Sequence, residues 1–366
     1  MTVSVVDAKH MAHALRLAEQ GLYTTQPNPR VGCVIAHGER VVGQGWHERA
    51  GEPHAEVYAL REAGAEARGA TAYVTLEPCA HHGRTPPCAD ALIAAGVGRV
   101  VIAAEDPFPQ VAGQGIAKLR AAGITVESGL MREAAREINI GFFSRIERHS
   151  PWVRVKLAMS LDGRTALANG ESKWITGEAA RADVQRWRAR SSAILSGVGT
   201  VLGDNPQLTV RLPAGDLPRE TFSPTRVILD RHLRTPAGSH VLDGQTPTLV
   251  LHAASAEVTD DRFANVERIA IPEQGDALNL QAVLSLLAGR SCSELHVEAG
   301  PTLCGALFAA GLADELLLYI APIMLGDHAR PLMHLPSLSE MASRWSLRVV
   351  DQRQIGNDWR LQLRPA

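Results

Sequence analysis

The chain has 366 residues, more than one ordinary hydrophobic core supports, so two domains are expected. It carries 37 Lys+Arg against 39 Asp+Glu and no basic run. That excludes the broad cationic surface by which proteins grip nucleic-acid phosphates, while a small anionic substrate needs only a few local donors. No apolar stretch reaches membrane-spanning length, and MTVSVVDAKHMAHALRLAEQ lacks the apolar core of a signal peptide. The five cysteines, Cys33, Cys79, Cys88, Cys292 and Cys304, are odd in number and scattered, unlike a disulfide framework. A cytoplasmic protein in a reducing compartment is expected.

Apolar Met11, Ala14, Leu15 and Ala18 predict a helix over about 7–22. Gln26, Pro27, Asn28 and Pro29 stop it. Residues 31–35 and 41–45 read as a hairpin. Pro53 introduces a helix from His54 to Ala63. Strands at 72–76, 99–104 and 124–126 alternate with helices at 88–95 and 115–122. This alternation predicts a parallel-rich sheet covered on both faces. The polar stretch from Arg145 to Trp152 reads as a linker between a first domain, 1–147, and a second, 151–366. In the second, strands are predicted at 153–158, 192–196, 225–229, 248–251, 294–298 and 315–320. Helices are predicted at 177–190 and from Gly300 to Ala310.

The most specific pattern is His54-Ala55-Glu56 followed by Pro78-Cys79 and Cys88. One imidazole and two thiolates suit zinc and leave a fourth position open. Glu56, in the first turn after His54, is placed to carry a proton from attacking water to a leaving nitrogen without ligating. A helix N-terminus at Cys88 favours the thiolate. This is the donor set of a zinc deaminase, although the general pattern spaces the cysteines as PCxxC. Here AHHGRTPP separates them, and His81, His82 and Arg84 are candidates to line a substrate pocket. The bland alternatives are two unrelated buried cysteines, or a purely structural zinc closed by His82. Asn28 and His47, read alone, are a turn residue and an edge-strand surface residue. Beside a deaminase site they become candidates for holding the heterocycle.

The segments TTQPNPRVGCVI, AGEPHAEVYAL, AYVTLEPCAHHGRTPPCADALI, DPFPQVAGQGI, KLAMSLDGRTA, SKWITG and VEAGPTLCGAL resemble the bifunctional deaminase/reductase family of riboflavin biosynthesis. The long loop between the cysteines fits that family, and the resemblance spans nearly the whole chain. It implies an α/β protein with a cytidine-deaminase-like three-layer domain followed by a dihydrofolate-reductase-like domain. The implied first step removes the 2-amino group of 2,5-diamino-6-(5-phosphoribosylamino)pyrimidin-4-one, releasing ammonia. The second reduces the ribosyl group to ribityl with hydride from NADPH. The implied cofactors are Zn2+ and NADPH/NADP+. The expected partners are a small phosphorylated pyrimidine and further copies of the chain in a homo-oligomer, a dimer favoured, with no nucleic acid and no membrane.

On its own residues, the second half offers two glycine clusters after strands, Ser196-Gly197-Val198-Gly199-Thr200 and Gly300-Pro301-Thr302. Each suits a phosphate at a helix start, although an ordinary tight turn is the better reading of either alone. By resemblance, Ala158, Trp174, Thr200, Asp204, Gly300, Pro301, Thr302, Leu303, Cys304, Gly305 and Ala306 fall on cofactor positions. Ser172, Arg188, Leu208, Arg211 and Glu298 fall on substrate positions. Arg188 and Arg211 have the chemistry of phosphate forks; the bland readings are a solvated helix face and a loop salt bridge. Lys156 and Asp162 read equally as groups orienting the ribose or as a structural ion pair. Arg231 stands where the family often has a small hydroxyl residue, leaving that cofactor contact open. The competing reading is a tRNA base deaminase with an accessory domain. It shares the zinc pattern but predicts a basic surface and aromatic stacking residues, against the 4% aromatic content. A zinc-stabilised binding scaffold is a further alternative.

Overall fold

Strand β1 shows how the first half is built. The computed structural model describes residues 4–80, 87–109, 111–213, 215–217 and 221–366. The chain divides into two compact units, 1–149 and 150–366. The first contains α1 (Val5–Gln20), β1 (Gly32–His37), β2 (Arg40–Trp46), α2 (Ala55–Ala63), β3 (Thr71–Leu76), α3 (Cys88–Ala95) and β4 (Arg99–Ala104). It continues through α4 (Gln114–Ala121), β5 (Thr125–Ser128), α5 (Arg132–Ile138) and α6 (Ile140–Arg148). Successive side chains of β1 point to opposite sheet faces. Cys33 and Ile35 join Ala59, Leu92 and Leu119 of α2, α3 and α4 in one buried cluster. Val34 and Ala36 join Met11, Ala135 and Phe143 of α1, α5 and α6 in another. The sheet runs β2-β1-β3-β4-β5, with β3, β4 and β5 parallel. Covered on both faces, it forms three layers.

The expected linker starts too early. Residues up to Arg148 belong to α6, because Phe143 and Ser144 bury one helical face while the Arg148 guanidinium returns to the Ser144 hydroxyl. His149, at φ 54, ends that helix.

The second unit contains β6 (Trp152–Ser160), β7 (Arg164–Ala166), α7 (Glu178–Ala189), β8 (Ala193–Gly197), α8 (Val198–Asp204), β9 (Thr225–Leu229), β10 (Thr248–Ala253) and β11 (Glu267–Ile271). Then follow β12 (Glu273–Gln274), β13 (Ala277–Leu278), α9 (Leu280–Gly289), β14 (Glu294–Val297), α10 (Pro301–Ala309), β15 (Glu315–Ala321), β16 (Arg330–Pro331), β17 (Leu347–Ile355) and β18 (Asp358–Pro365). Its main sheet runs β11-β10-β9-β8-β14-β6-β15-β18-β17. Strands from β11 to β15 are parallel, and β18 and β17 extend the sheet antiparallel. Leu295 and Val297 enter an apolar core with α9 and α10. Glu294, His296 and Glu298 alternate with them onto the opposite side.

That opposite side is charged and buried. Arg154 bonds Glu315 at 2.5 Å and Glu294 at 3.1 Å with side chains about 1% exposed. Its guanidinium lies 4.5 Å from the Trp187 ring centroid. Asp162 does not pair with Lys156. Its carboxylate accepts from the Ser160 hydroxyl and from the amides of Leu325 and Gly326, so it organises a turn. Those bonds, the Ser160 bond foremost, bring its pKa to about 2.

Removing one member of a buried ion network strands its partners. Arg154→Met is expected to destabilise the second unit by roughly 3 kcal/mol in denaturant unfolding followed by tryptophan fluorescence. A loss below about 1 kcal/mol contradicts the network's importance. Asp162 contributes stability above its unfolded-state pKa and loses it as pH falls through its depressed folded value. Asp162→Asn therefore lowers the urea midpoint at neutral pH, and the gap to wild type closes as pH falls from about 4 towards 2.

Candidate functional site

The deaminase-like motif converges at the end of β3. His54 is the N-cap of α2, Cys88 opens α3, and α2 packs against α3. Cys79 lies three residues beyond β3. His54 Nδ1 stands 3.3 Å from Cys88 Sγ and 3.7 Å from Cys79 Sγ. The Cys88 amide donates to Cys79 Sγ at 3.3 Å. All three donor atoms lie within 4.8 Å of one another. A hydrogen bond from the Cys88 thiol draws the Cys79 pKa down, while that same pairing and burial push Cys88 far up. One imidazole and two sulfurs at these separations fit zinc.

Glu56, at the second helical position, is 3% exposed, and its Oε2 has no hydrogen-bond partner. Burial raises its pKa. A buried, unsatisfied carboxylate oxygen is costly, so one aimed beside a three-donor cluster marks a place for a ligand.

His54, Glu56 and Cys79 line a cavity of about 270 Å³ with Asn28, Pro29, Val31, His47, Leu76, Glu77, Asp106, Phe108, Val111 and Phe142, while Cys88 is fully buried behind it. His47 is only 2% exposed, contrary to a surface edge residue. Its Nδ1 faces the Pro53 carbonyl at 3.1 Å and its Nε2 faces Asn28 Nδ2 at 3.1 Å. The carbonyl requires a proton on Nδ1, so Nε2 accepts from the Asn28 amide. Asn28 Oδ1 is then left for a ligand. Arg84, His81 and His82 lie outside the described residues. Glu77, Asp106, Phe108 and Val111 lie in the resembling segments but were not singled out as site residues, because their place depends on how β4 and α4 pack.

In the second unit, a cleft of about 1590 Å³ opens at the carboxyl ends of the parallel strands, where ligands of such sheets bind. It gathers the expected Lys156, Ala158, Ser172, Trp174, Arg188, Thr200, Asp204, Leu208, Arg211, Glu298, Gly300, Pro301, Thr302, Leu303 and Ala306. Cys304 and Gly305 are not among its lining residues. The Cys304 thiol is buried, 3.3 Å from the Ala299 carbonyl, and a Cβ on Gly305 would meet the His334 carbonyl at 2.0 Å. The run 300–306 therefore faces the cleft only in part, as a helix must. The N-cap of α10, Gly300, makes no side-chain bond, leaving the first-turn amides open to a ligand.

Arg188 is neither solvated nor a free fork. Its Nε and Nη2 bind Glu298 at 2.5 and 2.8 Å, and Nη1 binds the Thr209 carbonyl at 2.8 Å. Burial works against the Glu298 charge, but Arg188 holds its pKa well below the carboxylate range. Arg211 bonds the neutral side chains of Gln207 and Thr209 rather than a carboxylate. Burial lowers the Lys156 pKa, partly opposed by Glu298. Arg231 lines the cleft yet is clasped by Glu273 Oε1 and the Asp276 carbonyl, each at 2.5 Å.

Comparison with known proteins accords with this geometry. Residues 4–104 match the cytidine and deoxycytidylate deaminase zinc-binding region, and residues 151–361 match the RibD C-terminal domain. The riboflavin biosynthesis protein RibD of Escherichia coli is 48% identical, covering 98% of this chain and 99% of its own. That of Haemophilus influenzae is 46% identical, covering 98% and 97%. Acinetobacter baumannii RibD superposes with a TM-score of 0.91 at 44% identity, covering 99% of each chain. A diaminohydroxyphosphoribosylaminopyrimidine deaminase/5-amino-6-(5-phosphoribosylamino)uracil reductase from Thermotoga maritima does so at 0.86 and 33% identity, again over 99% of each. A reductase-family second unit removes the reading as a tRNA deaminase with an accessory domain. The chain belongs to the RibD family, bifunctional enzymes of riboflavin biosynthesis that join a deaminase to a reductase.

Proposed function

We propose that the cavity around Glu56 deaminates the phosphoribosyl diaminopyrimidine, and that the cleft around Glu298 reduces the resulting ribosyl uracil with NADPH. The observation carrying the first assignment is the buried, unpartnered Glu56 oxygen beside the three converging donors. Zinc held by His54, Cys79 and Cys88 supplies Lewis acidity when bound. Glu56 takes a proton from the attacking water at Oε2 and returns it to the departing amino nitrogen. Asn28, oriented by His47, accepts from an N–H of the heterocycle. Phe108 and Phe142 supply apolar walls that exclude bulk water. Arg84 is a candidate for contacting the substrate on the basis of sequence.

In the cleft, the open amides of α10 suit the cofactor's phosphates. Ala158, Trp174, Thr200, Asp204 and the cleft-facing residues from Gly300 to Ala306 form the cofactor wall. NADPH supplies the hydride when bound. Ser172, Leu208 and Arg211 hold the phosphorylated substrate. Arg211 takes its phosphate, because Arg188 is already committed to Glu298. Glu298 and Lys156 hold the opening ribose, Glu298 as an acceptor and Lys156 as a donor.

No helix among the described residues is long and apolar enough to cross a membrane. We infer a cytoplasmic site of action, which the five free cysteines support and cell fractionation tests. The edge strand β17 leaves Leu347, Val349 and Val350 exposed, and such edges pair with another chain. We assign the homodimer to this edge.

Two measurements check these assignments. Glu56→Gln keeps its zinc but loses ammonia release by a factor of about 100 to 10,000, while NADPH oxidation with supplied uracil intermediate stays at the wild-type rate. Retained ammonia release removes Glu56 from the reaction. Val349→Lys converts a wild-type dimer to monomer in sedimentation equilibrium, and an unchanged dimer places the interface elsewhere.

A further inference from the structure

We propose that Glu77 is a positioning residue of the deaminase cavity, its buried carboxylate fixing the wall that carries Asp106, Phe108 and Val111. The inference rests on the deaminase reading of that cavity. Glu77 follows β3, its amide bonded to the Ala104 carbonyl at 2.9 Å, and is 4% exposed. It is not one of the three clustered donors. Its side chain instead collects backbone amides. Oε2 accepts from Asp106 at 3.3 Å and Gly113 at 3.0 Å, and Oε1 accepts from Ile116 at 3.1 Å.

The bonds continue into the wall. Asp106 Oδ1 accepts from the Phe108 amide at 2.8 Å. The Phe108 carbonyl then accepts from the Val111 and Ala112 amides at 2.8 and 2.9 Å. Asp106, Phe108 and Val111 all line the cavity. Glu77 also replaces a missing cap. The N-cap of α4 is Gly113, which has no side chain to bond the first turn, and the carboxylate satisfies two of the amides there. The start of α4 is pressed close as well, since a Cβ on Gly115 would sit 2.0 Å from the Pro78 carbonyl. The residue two before Cys79 thus sets the distance between the donor cluster and the facing wall. A carboxylate accepting several amides is a charge-assisted arrangement. An amide in its place turns an N–H towards at least one of these donors.

The test is steady-state ammonia release by the full-length chain, with bound zinc and NADPH oxidation measured on the same preparations. Glu77→Gln should raise KM for the diaminopyrimidine about tenfold. It should leave kcat within about threefold, zinc at one per chain and the reductase rate unchanged. Glu77→Asp, which keeps the charge but shortens the reach, should show the same split. Phe108→Ala should also raise KM, and adding it to Glu77→Gln should raise KM no further, because both act through one wall. A kcat loss with KM unchanged, full multiplication of the two KM effects, or zinc loss in both Glu77 variants overturns the proposal. Absence of turnover in the wild-type control instead overturns the deaminase reading.

Discussion

Two helix N-termini meet just beyond the end of one buried strand, and the proposed deaminase site depends on that convergence. The starts of α2 and α3 bring His54 and Cys88 together, and the chain leaving β3 brings Cys79. Neither helix has a side-chain cap. Their first-turn amides and positive ends therefore favour negative sulfur and a carboxylate at this point. Glu56 is at the second helical position, so the geometry that brings the three donors together also places the carboxylate beside them.

The reductase cleft uses the same constraint in another sheet. Strands β8 and β14 each end in glycine-bearing turns that open α8 and α10, so unfilled amides face the cleft. The two sites differ in what stands behind them. Glu56 is buried with an oxygen left free, whereas each oxygen of Glu298 accepts one bond from Arg188. Behind Glu298 a charged layer runs through Arg154, Glu294 and Glu315, and Trp187 is flanked by Arg154, Arg190 and Arg360. Such a network fixes a carboxylate's position, while an isolated carboxylate is better suited to exchanging a proton.

The legible parts of the sequence were those encoded locally. The motif of His54, Glu56, Cys79 and Cys88 points to its chemistry through residue type and spacing, and the main strands and helices were readable through β5 and again at β6, α7, β8, β9, β10, β14, α10 and β15, whereas β7, α8, β11 to β13 and α9 were not anticipated. The hairpin of β17 and β18 was not anticipated, because β17 is largely exposed and β18 alternates charged with apolar residues, so neither forms a buried apolar run. The end of α6 was mistaken for linker because Arg145 and Arg148 look like solvated charge. His47 looked like a surface residue because its burial depends on the Pro53 carbonyl and on Asn28, both distant in pattern if close in space. Glu77 was invisible for the same reason: its three partners lie 29 to 39 positions away. Arg188 was expected at a substrate position, and its commitment to Glu298, 110 positions on, only the fold reveals.

We propose that one chain holds two chemically independent sites, of which only the first needs a metal. The most direct measurement follows ammonia release and NADPH absorbance together, before and after zinc is chelated. Chelation should abolish ammonia release while reduction of supplied uracil intermediate continues at its original rate, and restored zinc should return the first activity. Loss of both activities on chelation, or ammonia release that survives full removal of zinc, would contradict it.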